Sequence, residues 1–216
     1  MNYPFQDYLK RRLQEPLPGR KAQMKMMPEP VDSETAVPSK SIDSSGHPSG
    51  VLIPIYPDGN QNLNVILTLR TDSIRHAGQI SFPGGRSEDS ESIIGTALRE
   101  THEEIGIEAD EIDVAGSLTP FYLYRTNNRI TPIVGFLNHK PIMQRNPNEV
   151  AEIITVKLDT LLSDEKIEKE RWDLSDNSFY VPYWSFHRVP LWGATAMMMS
   201  EFLELYKEFL TISKEL

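Results

Sequence analysis

The sequence contains no cysteine, which excludes disulfides, thiolate metal sites and a thiol nucleophile. Any metal would be held by oxygen or imidazole. No apolar run approaches the roughly 20 residues that cross a bilayer, and the opening MNYPFQDYLKRR lacks the apolar stretch of a secretory signal. A soluble, cytoplasmic protein without a membrane partner is expected. Positive charge is also short: 22 Lys and Arg stand against 31 Asp and Glu, for a net charge of -9. Non-specific nucleic-acid binding draws its affinity from many cationic contacts to phosphate, so no nucleic-acid partner is expected. A small anionic substrate would need local basic residues, or cations held by the acids, to reverse the field. No P-loop or dinucleotide fingerprint occurs, and Gly46-His-Pro-Ser49-Gly50 carries its serine one position off the nucleophile-elbow spacing.

What is present fits one globular core with peripheral additions: 216 residues, 39% of them hydrophobic. Phe5, Tyr8, Leu9 and Leu13 recur at helical spacing and predict a short helix ending at Pro16-Leu-Pro-Gly19. Residues 21–50 show no sustained period and read as an extended arm, so the chain divides into a helix and arm over 1–50 and a catalytic domain over 51–216. Branched runs at 51–56 and 64–70 flank Pro57-Asp-Gly-Asn60 and predict a hairpin. A third strand is expected at 79–82, then a helix over 92–105. Its buried side should carry Ile93, Ile94, Ala97, Leu98, Thr101 and Ile105, with Gly106 as a left-handed stop. Strands at 114–124, 130–137 and 152–156, a short helix from Asp159, strands near 179–186 and a helix over 194–210 complete an α/β sandwich.

The helix over 92–105 ends in an odd concentration of acid. Glu100 faces both Glu103 and Glu104 at i+3 and i+4, where each like-charge pair costs roughly 0.2–0.5 kcal/mol. The three also crowd the negative end of the helix dipole, at a cost of up to about 1 kcal/mol. Folding alone does not recommend this arrangement, whereas a divalent cation reverses its sign, because hard oxygen ligands around Mg²⁺ or Mn²⁺ make a Lewis-acid site. A solvated acidic face is the ordinary reading of E-x-x-E-E; the wider spacing overturns it. Gly85, five residues, Glu91, seven residues, Arg99-Glu100, two residues, Glu103-Glu104, one residue, Gly106 has a chance frequency on the order of 10⁻⁸ to 10⁻⁹ per start position.

That spacing is the Nudix box, and the chain resembles Nudix hydrolases. The resemblance implies an α/β/α sandwich with a mixed sheet and a loop-helix that binds catalytic metal, Mg²⁺ or Mn²⁺. Carried over by position, it implies Gly85, Glu100, Glu103 and Glu104 as metal ligands, Glu103, Glu104 and Glu149 as candidates for the catalytic base, and Glu91 with Arg99 as the pair that locks loop to helix. Thr101 departs from the box, which prefers an aliphatic residue there. Upstream, the run from Ile66 through Arg70, Arg75 and Gly78 to Phe82-Pro-Gly-Gly85 is similar to the signature of the coenzyme A diphosphatase branch, with a shorter interval between Arg75 and Gly78 and with Thr71-Asp72 in place of Ser-Ala. Thr131-Pro-Ile-Val-Gly135, Asn146-Pro-Asn-Glu149-Val150 and Leu191-Trp-Gly-Ala-Thr-Ala196 are similar to that branch as well.

Under this resemblance Arg70 and Arg75 are expected to grip phosphate oxygens, and the small-molecule partner is a nucleotide substrate like coenzyme A. The same chemistry on ADP-ribose or a dinucleotide stays open, as do a non-catalytic ligand-binding module and a homodimer. His76, Arg125 and Arg129 are weaker candidates, better read as surface or turn residues, and Glu152 is an alternative to Glu149. Met197 to Met199, Trp172, Trp184 and Trp192 are read first as packing residues.

Overall fold

The structure, a computed structural model, describes residues 4–32, 46–71, 78–123, 126–163, 166–174 and 177–214. Helix α1 (Pro4–Arg12) leads through α2 (Gly19–Gln23) and a 3-10 turn (Met24–Met26) to β1 (Glu29–Pro30). Then come β2 (His47–Pro57), β3 (Leu63–Arg70), β4 (Ile80–Ser81), β5 (Gly84–Arg86) and α3 (Ile93–Ile105). After them follow β6 (Asp113–Ser117), β7 (Phe121–Leu123), β8 (Asn128–Phe136), β9 (Val150–Lys157), α4 (Leu158–Leu162), β10 (Ile167–Leu174), β11 (Asn177–Trp184), β12 (Leu191–Trp192) and α5 (Gly193–Lys214).

The main sheet has the order β4-β3-β2-β8-β6, with β5 on β2, β7 on β8 and β9 on β3. It is mixed because β2 and β8 run parallel from His47↔Asn128 to Ile55↔Phe136, while their other neighbours are antiparallel. The fully buried apolar run of β2 explains its central place, since a strand covered on both faces needs no polar alternation. The β2–β3 hairpin turns at Asp58, whose carboxylate accepts the Asn60 and Asn62 backbone N–H groups.

Two apolar clusters cover the two faces. On one, α3 packs Ala97 and Ile105 on Leu52, Ile66 and Ile133. On the other, α5 contributes Met197, Met198, Met199 and Phe202, and α1 contributes Phe5 and Leu9. The Phe5 ring meets Tyr206 edge-on at 4.9 Å and Phe202 at 6.0 Å. Helices on both faces of a mixed sheet make an α/β/α sandwich, as expected, and the methionine run lies in its core.

Several expectations need correcting. Ile94 is 43% exposed: Ala97 and Ile105 lie on one helical face, and Ile94 is turned off it. The strand foreseen over 114–124 divides into β6 and β7 around Leu118-Thr119-Pro120, because proline cannot donate to a ladder. The arm contains α2, the 3-10 turn and β1, and β2 begins at His47. Strand β10 was not foreseen. Its IEKERWDL has little apolar alternation, and its pairing along β11 from Ile167↔Trp184 to Leu174↔Asn177 supplies what local propensity lacks.

Candidate active site

The loop before α3 is fastened to the helix by one ion pair with many attachments. Arg99 donates through Nε to Glu91 Oε1 at 3.0 Å and through Nη2 to Oε2 at 3.2 Å, and it also reaches the Arg86 carbonyl. Glu91 further accepts the Thr96 hydroxyl and the Glu88 N–H. Its carboxyl is drawn down to about 2, first by the Arg99 hydrogen bonds and then by Thr96 and Glu88. Ser92 caps the helix by accepting the Gly95 N–H at 3.0 Å, and Gly106 ends it at φ +72°. Arg86 ties the same loop to the turn before β8 through Asn128 and the Thr126 carbonyl.

This frame sets the three glutamates in different surroundings. Glu100 lies directly against Gly85: a Cβ added there would stand 2.3 Å from Glu100 Oε1, so only glycine leaves the carboxylate its seat. Burial raises the Glu100 pKa, Arg99 draws it down, and Glu103 and Glu149 push it up. Glu103 stands at the rim, its side chain 50% exposed, held by Arg99 Nη1 at 2.9 Å; the same nitrogen is 3.1 Å from Glu100 Oε1.

Glu104 is the deepest, at 2% exposure. Arg70 Nη1 lies 3.9 Å from its Oε1, and Oε2 has no hydrogen-bond partner. Its carboxyl is pushed up to about 8, above all by burial; Glu100 and Glu149 add to this, while Arg70 and the Gly84 N–H oppose it. A buried carboxylate oxygen with no donor calls for an explanation. An oxygen-only donor set with one such orphan beside a glycine-lined seat is suited to a hard divalent cation. As the side chains stand, no three acids or histidines among the described residues converge closely enough to enclose an ion.

The segment after β8 brings the fourth acid. The Gln144 N–H donates to the Ile105 carbonyl at 2.9 Å and the Asn146 N–H to the Glu104 carbonyl at 2.8 Å, satisfying orphan carbonyls at the end of α3. Three residues on, half-buried Glu149 lies within electrostatic reach of both Glu100 and Glu104. Its carbonyl accepts the Thr71 N–H, which joins it to the end of β3 beside Arg70.

Thus Arg70, Gly85, Glu91, Arg99, Glu100, Glu103, Glu104 and Glu149 are brought to one region. Arg75, His76 and Arg125 lie outside the described residues. Glu152 is committed elsewhere, to Arg188 at 2.5 Å and His187 at 3.4 Å. Trp184 is buried in the core, and Trp172 packs with Tyr183 and Trp192 at 5.2 and 5.3 Å. Sequence reasoning gave no role to Arg86 or Asn146; an Asn-Pro-Asn turn placed before an acid was the signal for the second.

A loop-helix of acids on one face of an α/β/α sandwich, with arginine beside the deepest of them, is suited to holding a cation against an anionic substrate. Residues 46–177 match the NUDIX domain, and the chain belongs to the Nudix family as a pyrophosphohydrolase. It is 30% identical over 194 residues to Nudix hydrolase 3 of Caenorhabditis elegans, covering 76% of this chain and 80% of that protein. It is 34% identical over 167 residues to the peroxisomal coenzyme A diphosphatase ndx-8 of the same organism, covering 75% and 69%. It spans 54% of the length of Nudix hydrolase 15, mitochondrial, of Arabidopsis thaliana, at 34% identity over 68% of this chain. The crystal structure of a Nudix hydrolase from M. smegmatis, RenU, shares the fold at a TM-score of 0.55 and 18% identity, covering 75% of this chain and 86% of that one. No helix among the described residues is long and apolar enough to cross a membrane.

Proposed function

We propose that the protein hydrolyses the diphosphate linkage of coenzyme A or its derivatives, giving phosphopantetheine and adenosine 3',5'-bisphosphate. The observation that carries the hydrolytic site is the Glu104 carboxylate, buried with one oxygen unpartnered and surrounded by Glu100, Glu149 and Arg70. The substrate rests on the signature from Ile66 to Gly85 and on the likeness to a coenzyme A diphosphatase.

Glu100, Glu104 and, at the rim, Glu103 would hold a divalent cation, Mg²⁺ or Mn²⁺, together with the Gly85 carbonyl. When bound, such an ion neutralises charge on the phosphate oxygens and lowers the pKa of an attacking water. Arg70, at the end of β3, grips the diphosphate, a role the resemblance also gives to Arg75, and Arg99 with Glu91 keeps the loop on the helix. Glu149 accepts the proton of the water as its oxygen bonds to phosphorus and the bridging P–O bond breaks. Glu103 is less suited to that step because its carboxylate is held by Arg99. The catalytic domain is assigned to 51–216 together with the first residues of β2, and α1 ahead of it packs on α5.

A panel of coenzyme A, acyl-coenzyme A, ADP-ribose and dinucleotides, assayed with Mg²⁺ or Mn²⁺ and with products identified, tests this reading. Release of phosphopantetheine at the highest kcat/KM supports it. Faster cleavage of ADP-ribose or a dinucleotide would reassign the substrate, and ligand-induced stabilisation without turnover would mark a binding module.

A further inference from the structure

Asn146 is attached to the site at both ends of its chemistry. Its backbone N–H donates to the Glu104 carbonyl at 2.8 Å, and its own carbonyl accepts the Glu149 N–H at 3.1 Å and the Val150 N–H at 2.8 Å. In its side chain, the amide oxygen takes the Asn148 N–H at 3.1 Å, closing the turn over Pro147, and the amide nitrogen reaches Glu149 Oε1 at 3.4 Å. One residue therefore touches the end of the box helix, the turn and the carboxylate that the turn delivers. Thr71 holds the backbone of this turn from the β3 side, through its N–H to the Glu149 carbonyl and its hydroxyl to the Asn148 carbonyl. Gln144, Arg145, Pro147 and Asn148 are nevertheless exposed, and the hydrogen bond to the Glu149 carboxylate comes from Asn146. Loops of that kind carry a reacting group accurately only when a hydrogen-bonded frame fixes them.

We propose that Asn146 is the positioning residue that holds the Glu149 carboxylate in register with Glu104 at the end of α3. This rests on the reading of Glu149 as proton acceptor. It acts through Glu149 and does not touch the diphosphate. A displacement of about 1 Å at a reacting group costs on the order of 100-fold in rate, and loss of one of several restraints costs less.

Steady-state kinetics on the full chain with coenzyme A and Mn²⁺, and with ADP-ribose as a second probe, decide the matter. Asn146→Ala should lower kcat about tenfold and leave KM within about twofold. Asn146→Asp keeps the oxygen that accepts the Asn148 N–H, and hence the turn, but sets a like charge against Glu149. It should lose at least as much as the alanine variant, whereas a residue needed only for the turn would tolerate it. Because Asn146→Asp retains the turn, it also decides the question if the alanine variant melts early. In a Glu149→Gln background, Asn146→Ala should reduce kcat by less than about twofold more.

Wild-type kcat in Asn146→Asp, or losses that multiply in the double variant, would overturn the assignment while leaving Glu149 in place. Wild-type kcat in Glu149→Gln alone would instead remove the reading on which it depends.

Discussion

Among the described residues two glutamates are buried, on helices that cover opposite faces of the sheet. Glu201 of α5, at 0% exposure, accepts the Gly19 N–H, the Thr119 N–H, the Thr119 hydroxyl and the Gln23 amide. Glu104 of α3, at 2% exposure, has one oxygen with no partner and an arginine nitrogen 3.9 Å from the other. Burying a carboxylate is costly unless donors replace water. Donors from α2 and from the loop between β6 and β7 do so for Glu201, whereas at Glu104 the Gly84 N–H and Arg70 leave one oxygen without a donor. The first carboxylate organises the fold, and the second is held at a cost that a ligand would relieve.

The largest effect should come from removing the charge of the second. Glu104→Gln keeps the volume and should reduce diphosphate hydrolysis at least about 100-fold. Circular dichroism should show an unchanged fold with no loss of melting temperature. Full turnover in that variant would place both glutamates in the structural class. Close behind comes Gly85→Ala. The nearest atoms to its new Cβ all belong to the flexible end of Glu100, so the side chain swings away and stability changes little, but the carboxylate leaves its seat. A loss of about 30-fold or more in kcat with a near-normal melting temperature is expected. The same substitution at Gly84 puts Cβ 2.4 Å from the Gly50 backbone oxygen and should cost stability as well, which separates the two neighbours in a single pair of melts.

For the other glutamate the prediction reverses. Glu201→Ala strands two backbone N–H groups and leaves a cavity, which should cost about 3 kcal/mol, or roughly 6–12 °C in melting temperature for a chain of this size. The catalytic constants of the folded fraction should not change. A variant that melts normally yet has lost activity would break the contrast.

The site was more legible in the sequence than the frame around it. The helix over 92–105, its Ser92 start and its Gly106 stop are written in short-range chemistry, and Glu100, Glu103 and Glu104 share one continuous stretch with Arg99, whereas Arg70 and Glu149 come from other segments. Ile94 was misplaced because a run of two isoleucines does not say which one faces the sheet. Glu201 sits in a helix among apolar residues and looks like an ordinary solvated acid; its donors are 82 to 182 residues away, and no local pattern reports them. Strand β10 and the pairing of β1 with Phe179 and Tyr180 were missed for the same reason, since their hydrogen bonds come from β11 and not from their own sequence. Asn146 lies between these cases: its turn chemistry is local, but its attachment to the Glu104 carbonyl is not.

The smallest effect is the most specific to the contrast. Glu104 is held at about 8, above the usual 4.5 for a glutamate, so the folded protein keeps a proton that the unfolded chain releases above its ordinary value. Between those two values the unfolded state binds fewer protons, and stability must fall as pH rises, by at most about 1.4 kcal/mol per pH unit from this group. Melting measured in EDTA from pH 5 to pH 8 should show that decline in wild type and a flatter profile in Glu104→Gln. Mg²⁺ or Mn²⁺ favours the ionised carboxylate, so adding either should restore melting temperature in wild type and have less effect on the variant. Identical slopes for the two proteins in EDTA would mean that Glu104 finds donors in solution as Glu201 does, and the difference between the two faces of the sheet would disappear.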